Sequence, residues 1–137
     1  MKGFSSTVSI GEVKGHFPAL PASGPQTTLG LMFIAWTTVA RRADAESLAE
    51  GAVELRLAAC VQIEGPVLSC YRWAGKIERT EEFRLCFKFL PEQAEALATW
   101  VQERHPYETP EWIVLRAADM GEKYLSWMKA TSSNPPL

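Results

Sequence analysis

Three scarcities bound what this chain can do. It has almost no net charge: 14 Lys and Arg stand against 16 Asp and Glu, leaving −2. Nothing then favours a polyanionic partner, and nucleic-acid binding is set aside. It has no apolar run near the ~20 residues that span a bilayer. Its first ten residues, MKGFSSTVSI, carry one lysine and no apolar stretch of secretory length, so we read no signal peptide and expect a cytoplasmic protein without a membrane partner. It has three cysteines, Cys60, Cys70 and Cys86. An odd number with no CxxC spacing argues against a disulfide framework and against a structural zinc site. The plain reading is three small hydrophobes in a reducing compartment. A Gly-rich phosphate loop, a nucleophile elbow and a zinc-protease helix motif are all missing.

What is present is ordinary for a globular domain: 137 residues, 47% hydrophobic and 22% charged, enough for one modest core. Residues 1 to 29 hold Pro18, Pro21 and Pro25 and no periodic pattern. We read them as a poorly structured arm with an extended piece at Ser6–Ile10, residues 30 to 130 as the folded domain, and 131 to 137 as a tail.

Within the domain, LGLMFIAWTT suits a buried first strand. Asp44 is placed to cap a helix, whose stripe is Ala45, Leu48, Ala49, Ala52 and Leu55. AACVQIE and VLSCYRW read as strand segments turned at Gly65-Pro66, with GKIERTE as a loop. EFRLCFKFL alternates, with Phe83, Leu85, Phe87 and Phe89 on one side and Arg84, Cys86 and Lys88 on the other. Pro91 opens a second helix with Ala94, Leu97, Ala98 and Val101 on one stripe, and Pro106 stops it. EWIVLRA gives a last strand and GEKYLSWMKA a closing helix. The order β-α-β-β-α-β predicts an α+β, ferredoxin-like fold: a four-stranded antiparallel sheet with two helices on one face. Val61, Ile63 and the run Trp112 to Leu115 put apolar residues on strands at both parities, so the bare face should pack against further copies of the chain.

Four stretches then stand in order: RLAACV (56–61), SCYRWAGKIE (69–78), HPYETPE (105–111) and GEKYLSWM (121–128). In these the chain resembles the CutA divalent-cation-tolerance family over about residues 30 to 130. The resemblance implies a homotrimer with its sheets turned inward, and a non-enzymatic role in tolerance of, or response to, copper or other divalent metals. Two departures stand out. Some relatives have a further cysteine where this chain has Thr37, and the family usually has threonine where Phe89 follows Lys88.

The connector ERHPYETPEW, residues 103 to 112, spends more stiff and aromatic residues than a turn needs. His105 is the first candidate ligand for copper or zinc, because neutral imidazole binds both. It equally suits the last turn of a helix as a group facing the negative end of the dipole. Glu108 would add an oxygen ligand, and Cys60 a soft thiolate or simply core. Lys88, Trp73, Tyr107, Glu111, Tyr124 and Trp127 are expected around an intersubunit cleft, the aromatics chiefly as packing. Two further functional readings remain. One is a trimeric signalling or scaffold module whose cleft takes a small anion or a partner. The other is an acylphosphatase-like enzyme using Arg41 or Arg42 after the first strand, although the rest of that loop pattern is missing.

Overall fold

Alternation along the first strand sets the inside of the molecule. The structure, a computed structural model, describes residues 31–132. In it β1 (Phe33–Val39) buries Ala35, Thr37 and Val39 on one side, as a period of two requires. The other elements are α1 (Arg42–Glu54), β2 (Cys60–Trp73), β3 (Lys76–Phe89), α2 (Ala94–Arg104) after a 3₁₀ turn at Pro91–Gln93, β4 (Ile113–Arg116) and α3 (Glu122–Ser132). The sheet runs β2-β3-β1-β4 with every pair antiparallel, which is the expected ferredoxin-like arrangement.

The main core lies between the sheet and the first two helices. Ala45, Leu48, Ala49 and Ala52 of α1, with Leu97 and Val101 of α2, meet Leu85, Phe87 and Phe89 of β3. Those three β3 residues are fully buried, as the alternating pattern predicts. Phe33 meets Phe89 edge-on at 5.9 Å, and Trp112 closes on Phe87 at 5.6 Å. A second cluster of Met32, Ala59, Leu90 and Met128 seats α3 at the end where β1 begins.

Four expectations change. Asp44 does not cap α1. The helix starts earlier, at Arg42, because the Arg41 carbonyl already accepts from the N–H groups of Asp44 and Ala45; Leu55 falls beyond its end and is exposed. Gly65-Pro66 is not a hairpin turn. AACVQIE and VLSCYRW form one long strand, with a bulge between Glu64 and Val67. Gly65 is needed there, because a Cβ would sit 2.7 Å from the Phe83 ring. GKIERTE is strand rather than loop, and the chain reverses at Ala74-Gly75, both with positive φ, as a two-residue hairpin turn demands. The expected tail also starts later, since Thr131 and Ser132 belong to α3. The arm at residues 1 to 29, with its extended piece at Ser6–Ile10, lies outside the described residues.

Beyond the Val39–Phe83 pair, β2 and β3 continue without β1 for seven further β3 residues, an overhang of about 20 Å. The sheet face away from α1 and α2 carries Ile34, Trp36, Arg84, Cys86 and Lys88, with Ile113 and Leu115 from β4, the last two 44% and 42% exposed. The apolar bare face therefore exists, at its β1–β4 side. Val61, Ile63 and Trp112 turn the other way, against the core.

Candidate functional site

The connector after α2 is anchored at its first residue. The His105 N–H closes the helix on the Val101 carbonyl at 2.8 Å, and the His105 backbone then turns extended, as a residue before proline must. The imidazole is buried, 8% exposed. Its Nδ1 accepts from the Tyr107 N–H at 3.1 Å. A backbone N–H can only donate, so the ring proton sits on Nε2, which donates to Thr37 Oγ1 at 2.9 Å. The Thr37 hydroxyl in turn donates to the Glu111 carbonyl at 2.6 Å. One threonine thereby pins both ends of the connector to β1. Burial lowers the His105 pKa; a backbone contact with Thr38 and the charges of Asp44 and Glu82 oppose this without reversing it.

Tyr107 is the second anchor. Its ring lies 5.0 Å from the imidazole, and its hydroxyl donates to Glu82 Oε2 at 2.9 Å. Glu82 is only 2% exposed. Desolvation, then the bond to Glu82 and its charge, push the Tyr107 pKa far up, so the phenol stays protonated. The Glu111 carboxyl is also raised, first by desolvation and then by Glu82, with Arg84 working against both. Arg84 lies over the Trp36 ring at 5.1 Å and pairs with Glu64 at 3.0 Å. Its Nε is buried without a hydrogen-bond partner.

The residues singled out from the sequence fall into three separate places. His105, Tyr107 and Glu111 share the connector network, while Glu108 between them is exposed. Cys60 pairs across the ladder with Lys88, and Lys88 with Ile34. That row lies on the sheet face opposite Thr37, so Cys60 and His105 are not brought together within one chain. Lys88 instead places its ammonium 5.8 Å from the Tyr124 ring, beside Trp127, whose ring is 5.4 Å from that of Tyr124. Trp73 is at the far tip of the overhang, twelve β3 positions from Lys88. Glu82, Arg84 and the bonding role of Thr37 were not found in the sequence. Glu82 had one available signal, a carboxylate opening the strand read at EFRLCFKFL, but its partner Tyr107 lies 25 positions away in the chain.

Among the described residues, no three His, Cys, Asp or Glu side chains gather as a metal-ligating group. His105 could offer Nε2 only by giving up Thr37. One chain alone therefore offers a divalent ion an imidazole already held by Thr37 and no complete ligand set among the described residues. No helix among the described residues is long and apolar enough to cross a membrane.

The family model that matches this chain is that of the CutA1 divalent ion tolerance protein, over residues 33–131. A divalent-cation tolerance protein CutA from Yersinia pestis is 39% identical over 94 residues, covering 69% of this chain and 79% of the relative. A solved CutA from Synechococcus elongatus superposes with a TM-score of 0.73 at 41% identity, covering 76% of this chain and 92% of that one. A second structure of that protein, described as complexed with a Bis-Tris molecule, gives 0.68 at 42% identity over 74% and 93%.

Proposed function

The chain belongs to the CutA1 divalent ion tolerance family, and on that premise we propose that it is a cytoplasmic, non-enzymatic homotrimer that binds copper or another divalent metal at sites shared between subunits. The observation that carries this reading is the separation of the candidate residues. Trp73 stands at the overhang tip, whereas Lys88, Tyr124 and Trp127 stand at the other end of the same hairpin. A tip reaching about 20 Å past its own sheet meets such a cluster only on a neighbour. The exposed Ile113 and Leu115 supply the apolar surface that assembly would cover. The connector, with His105, Glu108 and Glu111, would then border the cleft, and a second chain would supply the missing ligands.

A second reading has its own support. A relative is described as complexed with Bis-Tris, a small organic molecule, and Arg84 holds a buried, unpartnered Nε on the sheet face that would line an interface. In this reading the cleft takes a small organic ligand or anion, and the trimer is a sensing module.

Light scattering tests the assembly: a mass near three chains at micromolar concentration is expected, and a stable monomer would overturn both readings. Calorimetric titration of copper and zinc into wild type and His105→Ala tests the metal. The expected loss is at least about tenfold in affinity at neutral pH, shrinking as pH falls through the histidine range, where protons compete with the metal for the wild-type imidazole. Equal affinities with the trimer intact would remove the imidazole from the ligand set.

A further inference from the structure

Two of the three cysteines share one face of the sheet. Cys60 pairs with Lys88, and Cys86 pairs with Gln62 one step along the same ladder. Residues offset by two across an antiparallel pair lie on a diagonal of the same face, about 7–8 Å apart at Cα and closer at Cβ. Neither thiol is in a disulfide; Cys86 is buried and Cys60 half-buried. Cys70 is exposed and pairs with Arg79 on the overhang, beyond the bulge.

We propose that Cys60 and Cys86 form a two-thiolate site for a soft monovalent cation, copper(I) above all, on the sheet face opposite the His105 connector. Thiolates select copper(I), whereas imidazole and carboxylate suit divalent ions. Two metal–thiolate bonds of about 2.3 Å each bridge about 4.6 Å, a span that sulfurs on diagonal Cβ atoms can meet. Two sulfur ligands suffice for a linear ion, so the site needs no third group, unlike a tetrahedral zinc centre. The charge balance is also in place. Two thiolates and one copper(I) carry −1. Lys88 stands opposite Cys60, and Lys88 and Arg84 flank Cys86 at two residues on either side, on the same face. Binding releases one proton from each thiol and changes no oxidation state.

This goes beyond the divalent-metal reading: the ligands, the face and the oxidation state differ, and either can fail alone. The test is anaerobic titration of the reduced full chain with copper(I) against a chromophoric copper(I) chelator, following the ultraviolet thiolate-to-copper absorption. One copper per chain is expected. Cys60→Ser and Cys86→Ser should each weaken it by at least about a hundredfold, and Cys70→Ser should leave it unchanged. Circular dichroism checks folding, and Cys60→Ser, at a half-buried position, keeps the test valid if Cys86→Ser misfolds. Undiminished binding in Cys60→Ser, or in a folded Cys86→Ser, overturns the proposal. So does a loss that follows Cys70 alone. Copper(II) and zinc affinities measured on the same variants, beside His105→Ala, show which of the two readings has failed.

Discussion

Replacing Thr37 with valine keeps the shape of the side chain and removes one hydroxyl, yet that hydroxyl makes two bonds. It accepts from His105 Nε2–H and donates to the Glu111 carbonyl. The imidazole is buried, so its N–H is left unpaired, at a cost of about 1–3 kcal/mol. The Glu111 carbonyl belongs to an exposed residue and can recover water, so its share is smaller. The sum is about 2–4 kcal/mol, and each kcal/mol lowers the thermal midpoint of a domain this size by about 4–8 °C. Thr37→Ser keeps both bonds and should lose only about 1 kcal/mol for its methyl. The assay is urea and thermal unfolding of the three proteins at one fixed chain concentration, since oligomers shift apparent stability by mass action. A valine variant as stable as wild type, or no worse than the serine, would refute the reasoning. The connector would then be held by something other than the Thr37 hydroxyl.

Tyr107→Phe leaves the buried Glu82 carboxylate without its phenol donor and should cost about 1.5–3 kcal/mol by the same unfolding assay. Gly51→Ala should destabilise by about 1–3 kcal/mol despite alanine's better helix propensity, because its Cβ would sit 2.7 Å from the Trp100 ring; a more stable variant would mean the indole moves aside freely. Met128→Ala, at a fully buried position of α3, should cost about 2–5 kcal/mol and release that helix first in hydrogen exchange. The pH dependence follows from His105, whose folded pKa lies below its ordinary 6.5. The unfolded chain takes up the proton first, so this contribution is complete above 6.5 and is lost as pH falls through the lower folded value. Glu111, raised from 4.5, works the other way: its contribution is full below 4.5 and is lost as pH rises through the folded value. His105→Asn in a Glu111→Gln background should therefore flatten stability between neutral and mildly acid pH, relative to Glu111→Gln alone. An unchanged slope would mean that the imidazole is not desolvated.

The sequence was most legible where one strand or one helix decides the matter by itself. The β3 alternation of Phe83 to Phe89 and the α1 stripe from Ala45 to Ala52 need only their own period, and both fell where the period put them; Leu55, the last of the expected stripe, lies beyond the helix end. The order of elements, β-α-β-β-α-β, was enough for the ferredoxin-like sheet, and the CutA resemblance agreed with it. The reading failed at the β2 bulge, where Gly-Pro has the chemistry of a turn but sits inside a ladder. What sets it there is the close approach of Phe83 from the neighbouring strand, and one strand's sequence does not show that. The site was less legible still. His105 and Tyr107 stood out as residues, but their partners, Thr37 and Glu82, lie 68 and 25 positions away in the chain. Nor does either strand alone say that Cys60 and Cys86 share a diagonal; the register between strands says it.

The bulge works as a shift of reading frame. From Glu64 to Val67 the β2 strand advances three residues while β3 advances two, from Arg84 to Glu82. Before it, Cys60, Gln62 and Glu64 look one way; after it, Val67, Ser69, Tyr71 and Trp73 look that same way, although their parity is odd. The Tyr71 hydroxyl and Thr80 Oγ1, 3.0 Å apart, lie on the face that this shifted frame selects. Deleting Gly65 would leave Val67 two residues after Glu64, so a regular ladder would keep the Glu64–Arg84 and Val67–Glu82 pairs, with Val67, Ser69, Tyr71 and Trp73 on the same face and only the kink removed. The added residue is thus absorbed where it stands: it bends and twists the overhang, and so aims it, while leaving unchanged the side chains that the overhang shows to a neighbour.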